Sequence, residues 1–352
     1  MTQSNESLTS LGWSPALIRA AYDLNIENAI PVRVMAVHRD AYEAAGETFS
    51  GRIPPAVDLR DDDKPTVGDW ILIDPRTHRL RAVLPRKSLF KRRAAGTDAR
   101  TQLIAANVDT LLIVTSANQD FNVARIERYL ALAHEAEVSP VVLITKADLC
   151  DDPRDYAAKA SALMPGLLAE AIDARDPALL NTLKPWLGAG QTLAVLGSSG
   201  VGKSTIVNTL MGESVQDTQD IREDDAKGRH TTTGRSLHKL ATGAWLMDTP
   251  GMRELQIADV ASGIEAVFED VAALEASCRY SDCAHANEPD CAIRAALESG
   301  DLDADRLKRY RKLQREDRRN TEAVHEANAR RRKFAKHVKQ VFRHKLDRTR
   351  TW

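Results

Sequence analysis

The chain has 352 residues, 43% of them hydrophobic, with 49 Lys and Arg against 50 Asp and Glu. That length and apolar content suit two or three buried cores, and no eighteen apolar residues run together, which excludes a transmembrane helix. The opening MTQSNESLTSLGW has no basic start before an apolar stretch, so a soluble, cytoplasmic protein that avoids membranes is expected. The net charge of -1 hides an asymmetry: residues 306–350 carry 18 Lys and Arg and only 5 Asp and Glu, so an acidic body ends in a basic tail. Such a tail suits a polyanionic partner, nucleic acid above all, while a solvated helix with charged faces is the plainer reading.

Ser14-Pro15 before ALIRAAYDL predicts an N-capped helix within an extension over residues 1–30. From Pro31, the β-type runs PVRVMAVHR, TVGDWILID and LRAVLP are separated by Gly, Pro and Asp clusters, the texture of a small five-stranded barrel over 31–96. Near its end PRKSLFKRR (Pro85 to Arg93) sets five cations in nine residues, an edge for nucleic acid or an exposed linker. Next, VDTLLIVTS, NVARIERYLALAHEA, SPVVLITK, YAAKASALM, QTLAVLG, KSTIVNTLMG and AWLMDTPG alternate strand and helix, a parallel α/β domain over 97–262. From 263 to 352 only helical patterns remain, in GIEAVFEDVAALEAS, AIRAALESG and the charged stretch beyond Asp303.

The chemistry is concentrated in that α/β domain. Gly197-Ser198-Ser199-Gly200-Val201-Gly202-Lys203-Ser204, continued by Thr205, fits the phosphate-loop pattern, with an apolar strand before it and a helix after it. Its glycines let backbone N–H groups curl around a β-phosphate; Lys203 reaches the β- and γ-phosphates and Ser204 places its hydroxyl on Mg²⁺. Asp248, in the segment Asp248-Thr249-Pro250-Gly251, is the expected second Mg²⁺ anchor, and the Gly251 N–H is placed to meet a γ-phosphate. Between them KGRHTTTG (Lys227 to Gly234) reads as a switch, with Thr232, or Thr231 beside it, completing the Mg²⁺ shell.

Upstream of the loop, VVLI runs into Thr145-Lys146-Ala147-Asp148. Proteins that prefer guanine commonly carry Asn-Lys-x-Asp at a strand end, the Asp accepting from guanine N1 and the exocyclic amine and the Lys packing along the base. Thr145 lacks the amide that would bond both base and phosphate loop, which predicts somewhat weaker discrimination. The motif precedes the loop, whereas a usual GTPase has the reverse order; joining the old termini and cutting elsewhere preserves the sheet, because permutation at exposed loops is tolerated. The second switch then runs directly into the C-terminal module.

Cys278-x4-Cys283-x-His285-x5-Cys291 offers three thiolates and one imidazole, a closed tetrahedral shell for one structural Zn²⁺. The alternative is one disulfide and a free thiol. Cys150 stands apart and reads as an ordinary semi-buried thiol.

Together PTVGDW, LPRKSLFKR, IAANVD, RIERYL, GSSGVGKST, GRHTTT, DTPGMRE and CRYSDCAHANEPDCAI, in this order, resemble the circularly permuted, ribosome-small-subunit-dependent GTPases, the RsgA/YjeQ family. The resemblance covers nearly the whole chain from Pro31. It implies a multidomain protein: an N-terminal OB-fold β-barrel that binds RNA, a circularly permuted P-loop α/β GTPase domain and a C-terminal α-helical zinc-binding domain. It also implies a monomeric enzyme taking GTP to GDP with Mg²⁺, acting in late maturation of the small ribosomal subunit. There rRNA binding stimulates hydrolysis, hydrolysis is coupled to release, and other ribosome assembly factors are possible partners. Three features depart from the expected patterns, the last of them from that of a classical GTPase. Thr145 stands for Asn, and Asp173-Ala174 fall where a Ser-Ala loop would support guanine. Met252 follows the Asp-Thr-Pro-Gly segment where a water-orienting Gln is usual. A thioether does not orient water, so slow intrinsic turnover is expected, with His230 a candidate helper. A nucleotide-gated RNA-binding module with negligible catalysis, or an ATPase with a degraded guanine site, are the competing readings.

Overall fold

The structure, a computed structural model, describes residues 7–93, 101–212, 235–248 and 259–321. The chain enters through α1 (Pro15–Asp23), where the Ser14 side chain accepts from the Leu17 N–H as the sequence predicts. Strands β1 (Ile30–Val37), β2 (Tyr42–Ala45), β3 (Ser50–Ile53), β4 (Trp70–Ile73) and β5 (Leu80–Val83) pair antiparallel in the order β3-β2-β1-β4-β5. Val32, Val34, Tyr42, Ala44, Ile53, Ile71 and Ile73 close a core of their own between them. PRKSLFKRR does not form a linker: its second half is β6 (Leu89–Arg93), which pairs with β7 (Thr101–Ala106) in a separate two-stranded sheet. This hairpin straddles the boundary expected at 96/97.

Strands β8 (Thr110–Ser116), β9 (Ser139–Thr145), β10 (Leu168–Ala171), β11 (Thr192–Gly197), β12 (Arg235–Lys239) and β13 (Trp245–Asp248) lie in the order β10-β9-β8-β11-β13-β12. All neighbouring pairs are parallel except β12 with β13. β8 is buried along all seven residues, as a central strand covered on both faces must be. Helices α2 (Val123–Glu135), α3 (Pro153–Ser161), α4 (Leu179–Leu183) and α5 (Lys203–Met211) follow β8, β9, β10 and β11.

The five N-terminal strands and this sheet are continuous. β1 pairs with β12 through Ala36↔Ser236 and Val37↔Arg235, so eleven strands share one ladder. Arg33, 1% exposed, adds a polar pin: it donates to Leu11 O at 2.6 Å and to Thr192 Oγ1 at 2.7 Å, joining the N-terminal extension, β1 and the start of β11. Burial lowers its pKa to about 10, still high enough for the guanidinium to stay charged at neutral pH.

Within the described residues 259–321 the chain forms α6 (Ala261–Val267), α7 (Glu269–Ala276), α8 (Ala292–Ser299) and α9 over residues 304–321; the rest of the expected helical region, 322–352, lies outside the described residues. GIEAVFEDVAALEAS forms two helices because the chain breaks at Phe268 (φ -114, ψ 39), whose buried ring packs 5.3 Å from that of Tyr310 on α9. At Gly263 a Cβ would sit 2.1 Å from the Ala131 carbonyl oxygen, so only glycine lets α6 cross α2 this closely. Among the described residues no helix is long and apolar enough to cross a membrane.

Candidate nucleotide site and metal centre

β11 delivers Gly197 to the carboxyl edge of the sheet, where a Cβ would meet the Val114 carbonyl at 2.3 Å. The loop then turns through Gly200 (φ 77) and Gly202 (φ 93), in the left-handed region, and enters α5 at Lys203. These turns bring the loop backbone directly onto the N-terminus of α5, where N–H groups favour an anion such as phosphate. Val201 is buried and anchors the loop, while Ser199, Gly200 and Ser204 are exposed at its rim. Lys203 Nζ donates to the Ser198 carbonyl oxygen, and the Ser198 hydroxyl is held by Asp120 and Arg125. Thr205 lies in the first turn of α5.

The guanine segment ends β9, two strands away from β11 across β8. Thr145 makes its own tie to the phosphate loop. Its hydroxyl, 1% exposed, lies 2.6 Å from Val201 O in the phosphate loop and 3.1 Å from Thr115 O at the end of β8. The single hydroxyl proton thus ties the guanine segment to the phosphate loop without an amide. Lys146 takes a left-handed backbone (φ 61), and Ala147 to Leu149 form a short 3-10 turn that carries Asp148. Asp148 Oδ2 accepts from Arg175 at 2.7 Å. The same guanidinium bonds Asp173 at 3.1 Å, and these bonds hold the Asp173 carboxyl below its usual range. Ala174 is buried, and its carbonyl accepts from Thr209 on α5 at 2.7 Å, a second tie between base-side and phosphate-side elements.

Asp248 ends β13, one residue past the Ala194↔Met247 pair, and so lies on the strand adjoining the one that carries the phosphate loop. Thr231, Thr232, His230, Gly251 and Met252 lie outside the described residues.

The four zinc candidates do come together, their ligand atoms all within 4.8 Å of one another. Cys278 Sγ and Cys291 Sγ are 4.0 Å apart, and His285 Nδ1 lies 3.6 Å and 3.5 Å from them. A tetrahedron with Zn–S near 2.3 Å and Zn–N near 2.0 Å has edges of about 3.8 Å and about 3.5 Å, so the cluster is sized for zinc. Behind it, Glu275 Oε1 lies 3.4 Å from His285 Nε2 and Oε2 accepts from Tyr310 OH at 2.9 Å. That carboxylate fixes the imidazole so that Nδ1 faces the thiolates. Glu288 shapes the loop by accepting from the N–H groups of Ala284, Ala286 and Asn287; its own backbone N–H first, and then these contacts, lower its pKa to about 2.

A family model described as RsgA GTPase matches residues 83–258. A curated relative from Mesorhizobium japonicum, "Small ribosomal subunit biogenesis GTPase RsgA", is 48% identical over 324 residues, covering 91% of this chain and 93% of its own length. The chain belongs to the RsgA GTPase family. It is accordingly a GTP hydrolase with a permuted GTPase fold. A Vibrio parahaemolyticus relative, "Small ribosomal subunit biogenesis GTPase RsgA 2", is 45% identical, covering 100% of this chain and 97% of its own. The YjeQ structure from Thermotoga maritima superposes with a TM-score of 0.61 at 25% identity, covering 81% of this chain and 97% of that one. YloQ, titled a circularly permuted GTPase, shares the fold with a TM-score of 0.55 at 20% identity, covering 87% and 97%. An ABC transporter model also matches residues 180–344, a span that includes the phosphate loop but not Lys146 and Asp148.

Several residues that shape this RsgA site escaped the sequence reading. Asp120 and Arg125 lie more than seventy residues from Ser198, and Arg175 follows the Asp173-Ala174 pair without any motif of its own. Only the Asp-x-Asn spacing at the head of α2, with Asn122 as its N-cap, hinted that this turn was built with care.

Proposed function

We propose that this chain acts in late maturation of the small (30S) ribosomal subunit. It binds GTP with Mg²⁺, binds rRNA, hydrolyses GTP faster on the subunit and leaves on hydrolysis. The observation that carries this reading is the junction of Gly197–Ser204 with Thr145–Asp148 through one buried hydroxyl, in a chain whose relatives bear the name small ribosomal subunit biogenesis GTPase. In this reading Lys203 and the loop N–H groups hold the phosphates, Ser204, Thr232 and Asp248 hold Mg²⁺, Gly251 meets the γ-phosphate, and Lys146 and Asp148 select guanine. Cys278, Cys283, His285 and Cys291 hold one structural zinc.

The domain reading follows. Residues 31–96 form an OB-fold RNA-binding domain, supported by the pairings β1–β2, β2–β3, β1–β4 and β4–β5. Residues 97–262 are the permuted GTPase domain, and 263–352 the zinc-binding helical domain with its basic tail; the protein works as a cytoplasmic monomer. The test is steady-state hydrolysis of GTP and ATP with and without purified small subunits. Stimulation confined to GTP is expected. Turnover that stays negligible on the subunit would favour the nucleotide-gated binding module to which Met252 points, and nucleotide-blind turnover would remove the guanine assignment.

A further inference from the structure

Ser198, the second residue of the phosphate loop, is tied on two sides. Its carbonyl oxygen accepts from Lys203, the cation that serves the β- and γ-phosphates. Its hydroxyl donates to Asp120 Oδ2 at 2.8 Å and accepts from Arg125 Nη1 at 2.8 Å, and Arg125 Nη1 also donates to Asp120 Oδ2 at 2.9 Å. The three groups close a ring in which the serine uses its one proton and one lone pair, and the two charges balance. Asp120 sits below the ordinary carboxylate range, chiefly through the Ser198 bond and then through Arg125, so it is ionised at neutral pH.

The ring is anchored from outside the loop. Arg125 stands in the first turn of α2, where Asn122 Oδ1 accepts its backbone N–H at 3.0 Å. Two residues on, Glu127 is fully buried and accepts from Arg309 at 2.8 Å, with Arg306 at 3.4 Å, while Arg128 pairs with Glu316 at 2.7 Å. All three partners are on α9. The helix that holds Ser198 is therefore held in place by the C-terminal module.

We propose that Arg125, with Asp120, is a positioning residue for the phosphate loop: it fixes Ser198, and with it the loop backbone, while Lys203 is engaged by the nucleotide. When phosphate draws Lys203 away from the Ser198 carbonyl, the hydroxyl side keeps its tie, and the N–H groups that cradle the β-phosphate keep their aim. The inference rests on the assignment of Gly197–Ser204 as the nucleotide loop, which wild-type GTP turnover and GDP binding check independently.

The test uses the full-length chain with Arg125→Met, Arg125→Lys, Ser198→Ala and the Arg125→Met/Ser198→Ala double variant. Affinity for a fluorescent GDP, KM and kcat for GTP, and the unfolding temperature without nucleotide are measured for each. Loss of a charge-assisted hydrogen bond at a one-third exposed site predicts about five- to tenfold weaker GDP binding for Arg125→Met. Ser198→Ala is expected to match it, and the double variant to be no weaker than either single, because all three break one ring. Arg125→Lys is expected to recover part of the affinity, with unfolding temperatures unchanged throughout. Additive losses in the double variant, wild-type affinity in Arg125→Met, or a loss that follows a lowered unfolding temperature would each overturn the proposal. Wild-type protein that neither binds GDP nor turns over GTP would instead remove the loop assignment itself.

Discussion

Thr145→Val is the sharpest probe of how the two halves of the nucleotide site are joined. Valine keeps the shape and the β-branch of threonine and removes only the hydroxyl, so the fully buried position gains no cavity. What is lost is the donor to Val201 O at 2.6 Å, with the weaker 3.1 Å share to Thr115 O. A buried acceptor deprived of its donor costs about 1–3 kcal/mol. At about 2 kcal/mol the α/β domain should melt about 4–8 °C lower, given about 2–4 °C per kcal/mol for a body of this size. Binding discriminates further. If the hydroxyl is a tether for the phosphate loop, GTP and ATP affinities fall by the same factor and their ratio, set by Asp148, is preserved. Calorimetry and competition binding on one preparation measure both. Unchanged melting with unchanged affinities would refute the tether. Collapse of guanine preference at unchanged stability would show that Thr145 acts on the base instead.

Lys203→Ala is expected to abolish GTP turnover, because no other cation of the loop reaches the β- and γ-phosphates; unimpaired hydrolysis would sink the assignment. Asp148→Asn replaces an acceptor pair with an amide and should weaken GTP binding by about a hundredfold while improving xanthosine triphosphate, whose ring carries oxygen where guanine carries its amine. One zinc per chain is expected by elemental analysis, and Glu275→Gln, which weakens the hold on His285, should lower zinc affinity by about 10–100-fold in chelator competition. Deleting Arg330 to Trp352, beyond the described residues, removes 10 Lys and Arg and should weaken binding to small subunits and flatten its salt dependence; equal affinity across a salt series would leave the tail a solvated helix.

What could be read from the sequence was local. The phosphate loop, the Lys-x-Asp turn and the Cys/His cluster are set by spacings of a few residues, and a backbone can be inferred from such spacings alone. The Ser14 cap and the helices α2 and α5 announced themselves the same way. Three of the strands that went unread have little apolar signal. Arg-Ser-Leu-His-Lys in β12, Leu-Ala-Glu-Ala in β10 and Ser-Gly-Arg-Ile in β3 are strands because a neighbour pairs with them, and no local pattern encodes a neighbour. The tie that Thr145 makes went unread for a related reason. Its chemistry depends on Val201, fifty-six residues on, whose carbonyl sequence alone does not bring within 2.6 Å.

The permutation has a structural consequence beyond chain order. In the sheet order β10-β9-β8-β11-β13-β12 the strand that leads into Gly197–Ser204 lies between the strand that ends at Thr145 and the strand that ends at Asp248, which is the arrangement the proposed nucleotide site needs. What changes is where the chain goes after β13. Residues 249–258 lead to α6, which crosses α2 at backbone contact through Gly263, and onward to α9, which grips the same α2 through Glu127 and Arg128. Separating α9 from α2 would strand Glu127 in the core, where breaking a buried ion pair costs about 3–5 kcal/mol. Helices α2 and α9 therefore move together. The C-terminal helices receive the chain after β13 and are joined through α2 and Arg125 to Ser198, so in the proposed reading a change beside the γ-phosphate has a route to them from both sides.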